Sequence, residues 1–319
     1  MEIKDLQKKW NIITHSEINQ GYKSVILTPE CKSYLYLGIN NDANRCLILA
    51  IPKNHHIDFR STVKENLSIE FFPDSNYIVL RLIDNTFYEL FDDLIISMYN
   101  RIKDIIEVEE YCNEFIQTFY KWSEFFSDKL SNLLSSEIIK GLFGELLMLK
   151  AFVEAATSSN INDILRSWTG PIDQRHDFTL DKKDVEVKTK SELKIDVTIS
   201  SEYQLERNLE KELELVVISV IENEGFPIRN LILDIKSLIQ GKSGDYVLFL
   251  KNLSLMGINL KNASLYDHLI FKPVSQAVYS VDDNFPRIVR SAVPKEISSI
   301  KYKLRVGALD SYKVSEIYY

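Results

Sequence analysis

The side chains best suited to chemistry in this sequence are two acids and a lysine on one face of a predicted β-hairpin. Asp177, Glu186 and Lys188 share that face because successive strand side chains alternate between two faces. With residues 182–183 in the turn, Asp177 lies opposite Lys188, and Glu186 lies one diagonal step from Asp177. Carboxylates at that spacing can bind one divalent cation, with the backbone carbonyl of Val187 as a further ligand. Lys188 would then stabilise charge on a phosphate or help to position or deprotonate an attacking water.

The opposite face of the same hairpin is apolar, as a stable strand register requires. In this register Phe178 faces Val187. Leu180 then faces Val185. A simpler interpretation also fits: an amphipathic hairpin whose charged face is solvated and whose lysine pairs with its aspartate. The hairpin alone leaves both interpretations open.

A helix predicted ahead of the hairpin carries a carboxylate within its apolar face. Residues 138–152 are strongly helical, and Glu145 lies three residues after one apolar side chain of that face and four before the next. Burying an ionised carboxylate is costly unless a cation or good donors compensate. Gly141, one turn earlier, predicts close approach of another backbone. The alternative is a glutamate at the rim of the apolar face, bonded to a lysine or a backbone N–H. That apolar face comprises Ile138, Leu142, Leu149 and Phe152.

In combination, these residues resemble a known nuclease motif. Glu145, Asp177 and the run Val-Glu-Val-Lys at 185–188 resemble the core of the PD-(D/E)XK phosphodiesterases, which include many restriction and repair nucleases. Longer blocks are similar to bacterial PD-(D/E)XK proteins found beside restriction–modification genes. The sequence departs from the motif at His176, which stands where a proline often precedes the acid. The blocks are Gly141-Leu-Phe-Gly-Glu145-Leu, Trp168-Thr-Gly, His176-Asp177-Phe, Val185-Glu-Val-Lys-Thr189, Ile199-Ser-Ser-Glu-Tyr-Gln204-Leu and residues 279–288.

The resemblance implies a mixed α/β fold with a restriction-endonuclease-like αβββαβ core. It implies that Asp177 and Glu186 hold Mg²⁺, for which Mn²⁺ can substitute, and that Lys188 assists. Glu145 would orient these groups or hold a second ion. The metal ligands so implied are Asp177, Glu186, Glu145 and the carbonyl of Val187.

Three nearby residues have a structural interpretation beside a functional one. In this fold a polar residue of the helix after the third strand often reaches the site, so Gln204 is a candidate contact to phosphate or to the lysine. Ser201 and Gln204 also form a capping box, which explains the glutamine without catalysis. Trp168 fits a core anchor of a Gly-Pro turn better than a base-stacking platform. His176 fits a buried structural histidine better than a metal ligand.

The elements that must position these residues follow from changes of pattern along the chain. After an initial helix, short strands are predicted at 34–38, 45–51 and 77–83, followed by a helical period. Alternation returns between 175 and 221, and two helices at 228–239 and 246–255 and a final strand-rich stretch from 269 follow. We therefore expect an N-terminal mainly β region at 1–86, a helical connector at 87–134, the nuclease core at 135–240 and a helix plus β extension at 241–319.

Composition limits the class of protein. The chain has 38 Lys and Arg against 46 Asp and Glu, a net charge of −8, which excludes coating of nucleic acid through bulk charge. A local basic surface remains available at 285–319. No segment reaches membrane-spanning length, the N-terminus lacks a signal-peptide core, and the three cysteines are far apart. We expect a cytoplasmic protein that does not associate with a membrane.

The leading hypothesis is a Mg²⁺-dependent endodeoxyribonuclease of a bacterial restriction or defence system, similar to type II restriction endonucleases. DNA is the expected partner, and ATPase and methyltransferase subunits and a second copy of the chain are further candidates. RNA stays open as a substrate. The alternative hypothesis is a non-catalytic DNA-binding or assembly subunit of a defence complex on a nuclease-like scaffold, which the net charge of −8 favours.

Overall fold

The computed structural model divides the chain into two compact units, Met1–Lys129 and Leu130–Tyr319. Among the helices built from described residues, none is long and apolar enough to cross a membrane. The structure describes residues 1, 3–14, 22–53, 55, 57, 59–126, 133–172, 175–208, 210–297 and 300–319.

The N-terminal unit combines an antiparallel sheet with three helices among its described residues. The predicted initial helix is present, and so are three predicted strands, β2, β3 and β6, which lie side by side in the sheet order β1-β2-β3-β6-β5-β4. The elements are α1 (Ile3–Thr14), β1 (Lys23–Ile26), β2 (Tyr34–Ile39), β3 (Arg45–Ala50), β4 (Thr62–Val63), β5 (Leu67–Phe72), β6 (Tyr77–Leu82), α2 (Tyr88–Ile102) and α3 (Val108–Ser123).

The C-terminal unit is a mixed α/β structure, as predicted. Its elements are α4 (Ser136–Ala155), α5 (Ile161–Ser167), β7 (Phe178–Thr179), β8 (Lys183–Ser191), β9 (Asp196–Ile199), β10 (Glu212–Pro227), α6 (Ile228–Gly241), α7 (Tyr246–Leu255), β11 (Ile270–Ser280), β12 (Tyr302–Arg305) and β13 (Lys313–Tyr318).

The main sheet of this unit has the order β13-β11-β10-β8-β7. Strand β8 pairs in parallel with β10 and antiparallel with β7. With α5, β9 and α7 left out, the elements α4, β7, β8, β10, α6 and β11 follow the implied αβββαβ order. Strand β9, predicted as part of the alternating run, instead pairs with β12 in a separate two-stranded sheet. The mixed α/β class is therefore confirmed, with β9 and β12 forming an additional layer.

The hairpin register differs from the prediction by two residues. Phe178 pairs with Val185, and the Leu180 amide donates to the Lys183 carbonyl at 2.9 Å, so residues 181–182 form the turn. A two-residue shift preserves the alternation of faces, so the apolar pattern alone cannot distinguish the two registers. In the observed register Lys183 belongs to the strand, and its ammonium lies 2.7 Å from the Glu214 carboxylate on β10. Asp177 consequently does not lie opposite Lys188.

Polar side chains cap helix α4 at both ends. The Ser135 hydroxyl accepts a hydrogen bond from the Ile138 amide at 3.4 Å, which satisfies a free N–H of the first turn. The Lys242 ammonium donates to the carbonyls of Val153 and Glu154, both at 2.7 Å, and to that of Ala156 at 2.5 Å. A cation at this position also opposes the negative end of the helix dipole.

The apolar face of α4 is rotated from the predicted one. Ile138 is 48% exposed, whereas Ile139 is fully buried. The position of close approach is also displaced, by three residues: Gly141 has open space around it, while a methyl group on Gly144 would lie 1.9 Å from the Thr189 hydroxyl on β8. Gly144, not Gly141, lets the helix pack directly on the strand that carries the motif.

The two glycines of α4 are expected to respond oppositely to alanine. Gly144→Ala should lower the free energy of unfolding by about 1–3 kcal/mol, because the new methyl overpacks the contact with Thr189. Gly141→Ala should raise it by about 0.5–1 kcal/mol, since alanine favours the helix and meets nothing. Chemical denaturation of the two variants measures both. Equal effects would contradict the placement of α4 on β8.

Candidate functional site

Asp177 lies directly before the short strand β7, where backbone hydrogen bonds fix its position. Its carbonyl accepts from the amides of Thr169 and Gly170 at 2.8 and 3.0 Å. Its side-chain Oδ2 accepts from the Val187 amide at 2.7 Å. In an extended strand the N–H and C=O of one residue face the same edge, so the Val187 carbonyl also faces Asp177. The predicted carbonyl ligand is therefore on the correct edge of β8.

Glu145 reaches the same place from α4. The Trp168 indole N–H donates to Glu145 Oε2 at 2.9 Å. A methyl group on the Gly170 α-carbon would lie 3.0 Å from Glu145 Oε2 and 3.1 Å from Asp177 Oδ1. Both oxygens thus border one small space, which the absence of a side chain at Gly170 keeps open. The structure brings these two predicted acids together.

Glu186 and Lys188 form an ion pair on β8, with the ammonium 2.6 Å from Oε1. The Glu186 side chain is only 1% exposed. Burial follows from its neighbours, since Glu186 and Lys188 pair in register with Leu215 and Val217 of β10, which belong to an apolar cluster. Strands β9 and β12 contribute to the same cluster through Ile199 and others. The interpretation of this face as a solvated charged surface is therefore wrong.

Burial and mutual repulsion shift the acids strongly. Burial raises the pKa of Glu145 to about 8, with the Asp177 charge adding and the Trp168 donor and Lys188 opposing. Burial, and then the Asp177 charge, raise the pKa of Glu186 to about 8 as well. The pKa of Asp177 is also raised by burial, against the opposing influence of Lys188 and the Val187 amide. At neutral pH the cluster therefore holds protons that carboxyls in water release.

The pKa of Lys188 is also raised, but by attraction to the carboxylates and not by burial. Burial alone would lower the pKa of its ammonium, but the carboxylates of Glu186, Asp177 and Glu145 outweigh burial and raise it. Lys188 therefore stays charged throughout the ordinary pH range. We name Glu145, Asp177, Glu186 and Lys188 the acid–lysine cluster.

Gln204 lies outside the described contacts of that cluster. Residues 201–205 form turns rather than the predicted helix. The Gln204 side chain accepts from the Ser200 amide at 2.7 Å, so it closes the turn locally. Glu202 is drawn to Arg290 at 3.1 Å instead of extending a helix. The predicted helix is wrong, and the contact of Gln204 with phosphate or lysine stays a prediction.

Two residues near the cluster have roles that the sequence did not indicate. Trp168 is the buried anchor expected, and in addition it binds Glu145. Tyr302 of β12 lies near enough for the Lys188 charge to lower its pKa, which burial raises above its usual value. The position of Trp168 shortly before Gly-Pro was a weak sequence signal for its role at Glu145. Tyr302 lies too far along the chain from the cluster for local spacing to indicate its position there. His176 is buried, and burial lowers its pKa, as a structural histidine requires.

The oxygen atoms of the cluster are suitable ligands for a hard cation, although its carboxylates are not arranged around a single metal position. Within the described part of the chain, no three Asp, Glu, His or Cys side chains are grouped to hold a metal ion. Three carboxyls nevertheless share one ammonium, and the raised pKa values of Glu145 and Glu186 show that the folded site disfavours their negative charge, which a bound cation would compensate. Carboxylate and carbonyl oxygens are the ligands that Mg²⁺ and Mn²⁺ prefer.

Comparison with known proteins identifies the family. Residues 6–307 match the family model described as "Putative PD-(D/E)XK family member", DUF4420. The chain therefore belongs to this PD-(D/E)XK family, which confirms the resemblance. Searches of curated proteins and of solved structures found no match.

Proposed function

We propose that this protein is a Mg²⁺-dependent endodeoxyribonuclease of a bacterial restriction or defence system. The observation that carries the proposal is the shared space of Glu145 and Asp177 at Gly170, next to the buried ion pair of Glu186 and Lys188. Membership of the PD-(D/E)XK family supports it. The reaction is in-line attack of water on a DNA phosphate, which leaves a 5′-phosphate and a 3′-hydroxyl.

The proposal assigns a role to each member of the cluster. Asp177 and Glu186 would hold the ion, with Glu145 and the Val187 carbonyl as further oxygen donors. When bound, a divalent ion supplies an acidified water and neutralises charge on the phosphate. Lys188 remains protonated and stabilises the negative charge that builds on the phosphate oxygens. Gln204 is proposed as an accessory contact to phosphate.

Part of the basic C-terminal segment supports a DNA-facing surface. Lys301 and Lys303 are exposed. Lys303 lies on the face of β12 opposite to Tyr302, and its ammonium is 3.6 Å from the Asp196 carboxylate. Arg290 is instead committed to the buried Glu202. Phosphate contacts by exposed lysines provide affinity without sequence specificity. We propose DNA as the substrate, with ATPase or methyltransferase subunits and a second copy of the chain as partners in the cytoplasm.

The second candidate function is a non-catalytic DNA-binding or assembly subunit. The net charge of −8 favours it, because long-range attraction to DNA is weak for such a protein. A subunit of this kind needs neither a bound ion nor the ammonium of Lys188.

Incubation of supercoiled plasmid with the full chain distinguishes the two candidates. We expect Mg²⁺ or Mn²⁺ to permit conversion to nicked and linear DNA, and chelation by EDTA to stop it. In the proposed mechanism the divalent ion held by the carboxylates supplies the acidified water that attacks the phosphate. Single-stranded RNA and modified DNA run in parallel test the substrate. Absence of cleavage of every substrate with both ions, with and without the neighbouring gene products, would support the assembly subunit.

A further inference from the structure

Trp168 binds a side chain of the acid–lysine cluster. Its indole is 1% exposed, and its N–H donates to Glu145 Oε2 at 2.9 Å. The indole has one donor and no acceptor, so this bond can form only with an oxygen that accepts. A flexible glutamate side chain is thereby held with one oxygen fixed.

Helix α7 and strand β7 hold the tryptophan in place. The side-chain Nδ2 of Asn252 in α7 donates to the Trp168 carbonyl at 3.1 Å, and the Phe249 ring lies 6.2 Å from the indole, centroid to centroid. Trp168 also forms an isolated β-bridge with Phe178. The donor is therefore supported from two elements outside α4.

The same short segment also fixes the second acid. Thr169 and Gly170, which follow Trp168, donate their amides to the Asp177 carbonyl at 2.8 and 3.0 Å. Gly170 borders Glu145 Oε2 and Asp177 Oδ1. Residues 168–170 thus set the spacing between the two carboxylates.

We infer that Trp168 is a positioning residue for the metal-binding carboxylates, an inference that rests on the proposed function. It acts through Glu145, by holding Oε2 so that the carboxylate faces the space shared with Asp177. Partners that orient a ligand from outside are worth about 10–100-fold in metal affinity or activity when removed. A tryptophan that serves only as core would affect stability and leave metal affinity unchanged.

The test combines Mg²⁺ titration with a matched tryptophan control. The chain has three tryptophans, and Trp122 is buried in α3 of the other unit. In the full chain, Mg²⁺ alone should shift the indole N–H resonance of Trp168 and not those of Trp10 and Trp122. By calorimetry, Trp168→Phe should weaken Mg²⁺ binding about 10–100-fold. Trp122→Phe should leave it unchanged, although both variants lower the melting temperature.

The outcomes separate the inference from the proposed function. If the wild-type protein cleaves DNA and Trp168→Phe binds Mg²⁺ with unaltered affinity, the positioning role is overturned and the proposed nuclease function is retained. If Trp168→Phe binds Mg²⁺ more weakly but the wild-type protein cleaves no substrate, the positioning role is supported and the proposed nuclease function is overturned. Wild-type protein that binds no Mg²⁺ would overturn both.

Discussion

Asp177→Asn is expected to abolish DNA cleavage while making the folded protein more stable at pH 8. Cleavage should fall by about 10³-fold or more, because the substitution removes the charge proposed to hold the ion. The asparagine oxygen can still accept the Val187 amide, so the local geometry survives. Removing a charge that raises the pKa of Glu145 and Glu186 relieves repulsion between buried acids.

The sign of the stability change depends on pH. Folding raises the pKa of Glu145 and Glu186 from 4.5 to about 8, so the folded state binds protons more tightly than the unfolded state. Stability therefore falls as pH rises from about 4.5 to 8, and is least above the folded pKa. Asp177→Asn should raise the free energy of unfolding by about 1 kcal/mol at pH 8 and by less at pH 5.

Denaturation at the two pH values and plasmid cleavage measure both effects. Asp181→Asn is the matched control, since Asp181 is exposed in the hairpin turn and should change neither quantity. Wild-type cleavage by Asp177→Asn would contradict the role of this acid. A lower free energy of unfolding for Asp177→Asn than for the wild type at pH 8 would contradict the repulsion between Asp177 and the two glutamates.

Lys188→Met is expected to abolish cleavage and to destabilise the protein at pH 8. The ammonium lies 2.6 Å from Glu186 Oε1, and its loss leaves the buried Glu186 and the half-buried Glu145 and Asp177 without its compensation. The free energy of unfolding should fall by about 2–3 kcal/mol at pH 8. Near pH 5 Glu145 and Glu186 are protonated, so the loss of stability should be smaller than at pH 8.

Lys190→Met is the control for this variant, because Lys190 lies on the same strand and contacts the backbone carbonyls of residues 191 and 192. It should not reproduce the steep dependence on pH. A Lys188→Met variant equally destabilised at pH 5 and pH 8 would show that the lysine acts through packing rather than through charge.

Local patterns predicted the elements of the C-terminal unit well. Helix α7 begins and ends at the expected residues, and α6 differs by two residues at one end, because apolar periodicity and long uninterrupted runs specify helices strongly. Strands β1 and β4 were not predicted, because runs of four and two residues carry little pattern. Strand β5 was also not predicted, although it is as long as β2, β3 and β6. Strand β9 was predicted, but its pairing with the distant β12 depends on tertiary packing.

In the site, too, local spacing predicted the residues, whereas the contacts between distant parts of the chain were not predicted. Asp177, Glu186 and Lys188 were predicted from their spacing on a hairpin, and Glu145 from its place in an apolar helix face. The structure places the four side chains near one another, but within the described part of the chain the carboxylates do not group around a metal position. The hairpin register was wrong because two registers bury the same apolar residues. The burial of Glu186 depends on β10, more than 20 residues away, and the bond from Trp168 to Glu145 also joins distant positions. Neither contact has a signature in local spacing.

Calorimetric titration of the full chain with Mg²⁺ at pH 7, in two buffers of different ionisation enthalpy, is the most direct test that these acids form a cation site. We expect saturable binding with release of protons, because Glu145 and Glu186 have pKa values of about 8 before the ion binds. Asp177→Asn should abolish both the binding and the proton release. Undiminished binding in Asp177→Asn, or no binding of Mg²⁺ or Mn²⁺ by the wild-type chain, would contradict the site.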